Sequence, residues 1–409
     1  MNKKISIGVC ISLIFIACTV TFVVTWTVSL NMYNGLLPGA LGRDTISAKL
    51  QEIDTFIRNN FYGEISDEDV EIGIFSGYIE GIGDQNTVYM TPEQYRQQIA
   101  EESGQLITAG IRTEAEGSGY LIITHVYAGS SAESLGVQIN DMITDIEDTS
   151  VLSVGADVAA RLLEGDEHVR VKINVLRDGE TLEFSLIRQS IAVVSVEADV
   201  VNEVGFARID TFNALTDAQF DTALKTFADA NVRAILIDLR DNDSDYYTPV
   251  INMTNALVGA GTIARSEHRG GVVRDFIVTD DNRALPAAMQ GLPIIVLVNA
   301  QTAGAGELFA AILRTHSDAQ IVGVNSAGNT FLTETQQLKD ESAIRVTVAR
   351  IMLTGGDDYA GAGLSPNFAV DLGAETISYN INDFRDIELS EIPDLQIRRA
   401  FEIINTAAY

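Results

Sequence analysis

The stretch Leu292–Leu313, LPIIVLVNAQTAGAGELFAAIL, constrains the fold more than any other part of the chain. Ile294 to Val298 is an unbroken run of apolar, mostly β-branched residues, which suits a strand buried on both faces. Small residues follow from Asn299 to Gly306, and Glu307 to Leu313 then reads as a helix. A strand buried on both faces needs helices above and below it, so the expected fold class is α/β with a mainly parallel sheet. The region before it agrees. Gly205–Ile209 reads as a strand, and Asp217–Ala230 as a helix with Phe220, Leu224 and Phe227 on one face. Ala234–Leu239 reads as a buried strand and Val250–Val258 as a helix. Strand, tight turn and helix is also the geometry that holds a nucleophile above a sheet, with a helix N-terminus beside it to favour an oxyanion. Yet this turn has no serine and no cysteine, and its only hydroxyl is Thr302.

At the other end of the chain, Ile5 to Leu30 is uncharged. At about 1.5 Å per residue such a helix crosses a hydrocarbon core of about 30 Å with tilt. Lys3 and Lys4 precede it, and the next charges are Arg43 and Asp44. The positive-inside rule then puts the N-terminus in the cytoplasm and the main body outside. A cleaved signal usually has a shorter apolar region, so an uncleaved single-pass anchor is expected. Phe15–Cys18 is read as a chance match to a lipoprotein cleavage site, because twelve uncharged residues follow it. Both cysteines, Cys10 and Cys18, lie in this segment, which removes disulfides and thiolate metal sites from the rest. The four histidines show no ligand spacing, so no metal and no cofactor is expected. The formal charge of −30 excludes nucleic acid as a partner, since phosphates call for Lys and Arg.

Between anchor and α/β region the texture changes twice. Residues 44–60 and 67–82 have apolar residues at three-to-four spacing and read as helices. Thr91-Pro92 opens a third helix, with an N-cap followed by a proline suited to the first turn. From 103 to 190 short apolar runs alternate with turns, and Val169 to Leu176 has the period of a half-exposed strand. The expected division is therefore 1–30 (cytoplasmic tip and transmembrane helix), 31–102 (linker and helical region), 103–190 (mostly-β module), 191–390 (α/β domain) and 391–409 (C-terminal helix).

Several fragments, in this order, resemble the carboxyl-terminal processing peptidases, also called tail-specific proteases. They are Ala109-Gly110-Ile111, Ala128–Glu133, Leu135-Gly136-Val137 and Asn140–Ile143 of an inserted PDZ domain. Leu236–Arg240, Gly363–Asn367 and Asp394–Phe401 follow in the α/β domain. The resemblance implies a Ser–Lys dyad, in which a neutral lysine takes the serine's proton. Thr302–Glu307 stands where that family has its nucleophile turn, which aligns Gly304 with the serine. Ser326–Thr330 stands where the lysine loop lies, and Asn329, twenty-five residues after Gly304, aligns with the base. Thr333 replaces a lysine-orienting glutamine. Asp243, Ser244 and Asp245 alter the oxyanion loop and bring carboxylates where negative charge must be stabilised.

Glycine supplies no hydroxyl and asparagine no base. The expectation is a membrane-anchored, outward-facing pseudopeptidase that binds polypeptide C-termini near Ala109, Gly110 and Ile111 by strand addition. A role in regulation or scaffolding follows, with an active peptidase relative or a second copy of the chain as partner. The alternative is an active serine-type endopeptidase with a relocated dyad, using Ser326, Ser244 or Thr302 with Lys339.

Overall fold

A computed structural model describes residues 18–27, 40–279, 289–356, 358–372, 381–384 and 387–407. The chain divides into two units, Met1–Ile74 and Phe75–Tyr409. In the first, residues 18–27 are helical and helix α1 spans Ala40–Asn60. Most of the expected anchor, residues 5–30, lies outside the described residues. Among the described residues no helix is long and apolar enough to cross a membrane. Helix α2 (Asp67–Glu80) continues into the second unit.

The second unit opens with β1 (Val88–Met90) and α3 (Pro92–Ser103). Thr91 and Gln94 form a reciprocal capping box at the start of α3, and Gly104, in a left-handed conformation, ends it. Strand β2 (Gln105–Thr108) then pairs antiparallel with β9 (Gln189–Ala192), closing the neck of a small β-module. Within that module are β3 (Ile111–Ala115), β4 (Leu121–Val126), α4 (Ser131–Leu135), β5 (Met142–Ile146) and β6 (Thr149–Ser150). Helices α5 (Val151–Val154) and α6 (Ala156–Leu162) follow, then β7 (Arg170–Arg177) and β8 (Glu180–Ile187). The sheet runs β3-β4-β5-β7-β8, with β6 on β5, so β3 is an edge strand. Alternate residues Val171, Ile173 and Val175 are buried in the module's core with Ile123, Ile143 and Leu186, as a period of two requires.

The α/β domain is built on a six-stranded sheet. Its strands are β10 (Val196–Val201), β11 (Val204–Ile209), β12 (Ala234–Asp238), β15 (Ile294–Val298), β16 (Gln320–Gly323) and β19 (Phe368–Ala369), in that order across the sheet. Only the β10–β11 junction is antiparallel. Ile235, Ile237, Val296 and Val298 face one core with α7 (Thr216–Asp229), α8 (Thr248–Leu257) and α9 (Gly304–His316). Ala234, Leu236, Ile295 and Leu297 face the other, with α10 (Leu395–Ala407). Cover on both faces explains why β15 is apolar throughout and β12 is apolar up to its terminal Asp238.

A second, antiparallel sheet was not foreseen in the sequence. It contains β13 (Gly261–His268), β14 (Val272–Val278), β17 (Phe331–Gln337) and β18 (Ala343–Leu353), with β1 and β13 paired to successive stretches of the β18 edge opposite β17. At the C-terminal end of β12, Arg240 forms buried ion pairs with Asp238 and with Asp394, each at 2.7 Å. Those pairs fix the strand end from which the next loop departs, and they tie it to the segment that opens α10.

Candidate functional site

Strand β15 ends in a turn stapled by Thr302. The Thr302 hydroxyl donates to Leu239 O at 2.9 Å and accepts from Asn299 N at 3.0 Å, with no exposure to solvent. This side chain is structural, and its hydroxyl joins β12 to the turn. Helix α9 then begins at Gly304, whose φ of +53° lies in the left-handed region that favours glycine.

The loop after β12 lies directly on this helix start. Asn242 O accepts from Ala303 N at 2.9 Å, and Ser244 O accepts from Ala305 N at 2.7 Å. Asn242 is itself anchored, its side-chain amide donating to Ile209 O at 2.9 Å. The Ser244 hydroxyl donates to Phe212 O at 3.0 Å. A helix N-terminus offers free N–H groups to an anion. Here the N–H that follows position 304 is spent on a backbone carbonyl of the chain itself. The loop comes so close that a Cβ on Gly304 would lie 2.7 Å from Ser244 O and 2.8 Å from Asp245 Oδ1. A Cβ on Gly306 would lie 2.9 Å from Asn242 O. The space a nucleophilic side chain would need at 304 is filled.

Glu307 connects this turn to the loop carrying Asn329. It is fully buried on α9 and accepts hydrogen bonds from the Ser326 hydroxyl, from Gly328 N at 2.6 Å and from Asn329 N at 2.7 Å. Ser326 Oγ in turn accepts from Leu364 N at 2.7 Å, which binds the Gly363–Asn367 turn to the same carboxylate. Burial pushes the Glu307 carboxyl above its ordinary value, while hydrogen bonds from Ser326, Gly328, Asn329 and Gly304 pull it back. Gly304 and Asn329 are thus brought together around one buried carboxylate. The Asn329 side-chain oxygen accepts from Phe331 N at 3.1 Å, a local turn contact.

Thr333, on β17, lines a cavity of about 680 Å³ together with Asp243, Ser244 and Asp245. Burial raises the Asp245 carboxyl, opposed by Arg345 and reinforced by Asp243. The serines and threonine of the relocated-dyad alternative are all engaged: Ser326 with Glu307, Ser244 with Phe212 O, and Thr302 with Leu239 O. Lys339 is exposed between β17 and β18. Two participants had no role assigned from sequence, Glu307 as the organiser and Tyr247, whose buried hydroxyl donates to Phe331 O at 3.0 Å. The carboxylate directly after the turn was a legible signal for the first. No pattern marks the second.

In the β-module, Gly110 precedes edge strand β3 with φ +91°. A Cβ there would meet Ser130 Cβ at 2.5 Å. Gly110 N donates to Thr108 Oγ1 at 3.3 Å, and Gly110 O accepts from Tyr127 N at 3.0 Å. Ala109 and Ile111 are buried on either side, and α6 packs near β3.

Residues 203–370 match the family model for peptidase family S41, and residues 122–177 match that for a PDZ domain. The chain is 26% identical over 325 residues to a CtpA-like serine protease of Staphylococcus aureus, covering 79% of this chain and 64% of that one. It is 25% identical over 327 residues to the carboxy-terminal processing protease CtpA of Bacillus subtilis, covering 79% and 69%. The match therefore spans slightly less than two thirds of the length of the staphylococcal relative. Among solved structures, an S41 protease from Bacteroides fragilis is similar, with a TM-score of 0.50 and 14% identity over 86% of this chain and 92% of that one. This last likeness concerns the fold.

Proposed function

We propose, for a chain that carries the peptidase family S41 fold with a PDZ domain, that it is a catalytically silent relative of the carboxyl-terminal processing peptidases. It holds polypeptide C-termini through its PDZ domain and serves regulation or scaffolding. A single-pass anchor at residues 5–30 keeps its main body outside the cytoplasm. The observation that carries the reading is the hydrogen bond from Ala305 N to Ser244 O. An acyl-transfer site needs that N–H free, and a nucleophile one residue earlier, to stabilise a developing oxyanion. Both needs go unmet here, because the loop carbonyl takes the donor and Gly304 has no side chain. Asn329 adds no base.

Binding is supported by β3, an edge strand among the described residues, and the glycine turn before it, the arrangement on which an added strand places its terminal carboxylate. Peptides with apolar C-termini, measured by fluorescence polarisation against the full chain, should bind with the free acid preferred at least about tenfold over the amide, roughly 1.4 kcal/mol. Equal affinity for acid and amide would remove the carboxylate-capture reading.

A further inference from the structure

Helix α1 carries an apolar stripe that nothing among the described residues covers. Every residue from 46 to 60 is exposed. Ile46, Leu50, Ile53 and Ile57 are 54%, 37%, 45% and 44% exposed. Their spacing of four, three and four is the repeat of a coiled coil, with Ile46 and Ile53 at the d positions and Leu50 and Ile57 at the a positions. Most helical stability in proteins comes from packing an apolar face rather than from propensity, so a helix of this pattern calls for a partner.

The charges beside the stripe decide which partner fits. Along α1, Arg43, Lys49 and Arg58 balance Asp44, Glu52 and Asp54. A helix that lies on a lipid surface carries an excess of Lys and Arg on its polar face, and α1 has no such excess. In the same heptad frame Lys49 stands at g and Asp54 at e. Parallel, in-register helices of one sequence bring each g beside the e position five residues later on the neighbouring helix, which sets Lys49 of one copy against Asp54 of the next. An antiparallel pair sets g against g and e against e, which leaves Lys49 beside Phe56 and Asp54 beside Ser47. Within the chain both charges make exposed pairs on their own helix, Lys49 with Glu52 at 2.9 Å and Asp54 with Arg58 at 2.7 Å. Such pairs hold a side chain weakly, so both can reach across a seam. We propose that α1 is a self-association seam, in which copies of this chain pack their α1 helices parallel and in register with Lys49–Asp54 pairs along the flanks. Leu at a beside Ile at d favours more than two strands, so three or four copies are expected. This inference stands apart from the silent-site and PDZ readings, since α1 lies outside the residues that match either domain.

Sedimentation equilibrium of the full chain in detergent micelles tests the proposal. The unaltered chain should associate, and Ile53→Ser, which removes one apolar layer of the seam, should weaken association at least about tenfold. Lys49→Glu sets carboxylate against carboxylate across the seam, and Asp54→Lys sets cation against cation. Each alone should weaken association severalfold, and the double variant, with the two charges exchanged, should regain most of it. All three side chains are exposed, so replacing them leaves the packed cores untouched. A dimer with the same charge dependence supports the seam and its direction. A monomeric chain, association unchanged by Ile53→Ser, or a double variant no better than either single one would overturn the proposal.

Discussion

Replacing Gly304 with serine restores the hydroxyl that the resemblance expects, and the structure says what this costs. Gly304 has φ +53°, where a residue with a Cβ is disfavoured by roughly 1–2 kcal/mol. The new Cβ would also sit 2.7 Å from Ser244 O, 2.8 Å from Asp245 Oδ1 and 3.3 Å from the Tyr247 hydroxyl. Ser244 O is backbone and cannot turn away, so the loop itself has to move. Moving it strains or breaks the hydrogen bonds from Ala303 N and Ala305 N. Overpacking of this kind costs about 1–3 kcal/mol. Together the two effects predict a loss of roughly 2–5 kcal/mol. Differential scanning calorimetry of the full chain should show a lower midpoint for the transition that melts the α/β domain. Gly304→Ala should lose nearly as much, because the penalty belongs to Cβ and not to the hydroxyl. A fluorophosphonate probe should leave Gly304→Ser unlabelled, because Asn329 offers the new hydroxyl no base. Stability within about 0.5 kcal/mol of the unaltered chain would refute the close approach of the loop. Probe labelling at position 304 in the Gly304→Ser single variant would show that its hydroxyl needs no base at 329 and would refute the silent site.

Two further outcomes follow from other parts of the chain. Burial raises Glu307 above its ordinary 4.5 and Asp245 above its ordinary 3.8, so the folded state binds these protons more tightly than the unfolded chain. That contribution to stability is complete below the unfolded values and is lost as pH rises through the folded ones. The melting midpoint should therefore gain less from pH 4.5 upwards than the other carboxylates dictate. Glu307→Gln should remove part of this loss, its Oε1 still accepting from Ser326 and Gly328 N while the bond from Asn329 N to the second oxygen is given up; identical pH profiles would contradict it. For topology, a reporter fused after Tyr409 should be active only outside the cytoplasm, and activity inside would remove the anchor reading of residues 5–30.

The α/β framework was legible because its signals are local. Ile294–Val298 and Ala234–Leu239 announce buried strands by composition, and Thr91-Pro92 announces a helix start by capping chemistry. The β13–β14 hairpin was less visible. Polar Arg265 and Glu267 interrupt its first strand, and Gly270-Gly271 marks a turn only once strands on both sides are suspected. At the site, the residue types at 304 and 329 and the carboxylates of Asp243 and Asp245 could be read one by one. The closure itself could not be read. It is made by the backbone carbonyls of Asn242 and Ser244, about sixty residues before the N–H groups they accept from. A carbonyl leaves no mark in residue type. Gly304 and Gly306 are its only sequence trace, since any larger residue there would collide with that loop.

The most direct test of a silent site is turnover by the unaltered full-length chain, measured with casein and with quenched fluorescent peptides bearing apolar C-termini. Hydrolysis should not exceed that of buffer, and Ser326→Ala and Lys339→Ala should change nothing, because Ser326 serves Glu307 and Lys339 is exposed. Robust cleavage that either substitution abolishes would contradict the silent site and establish a relocated dyad.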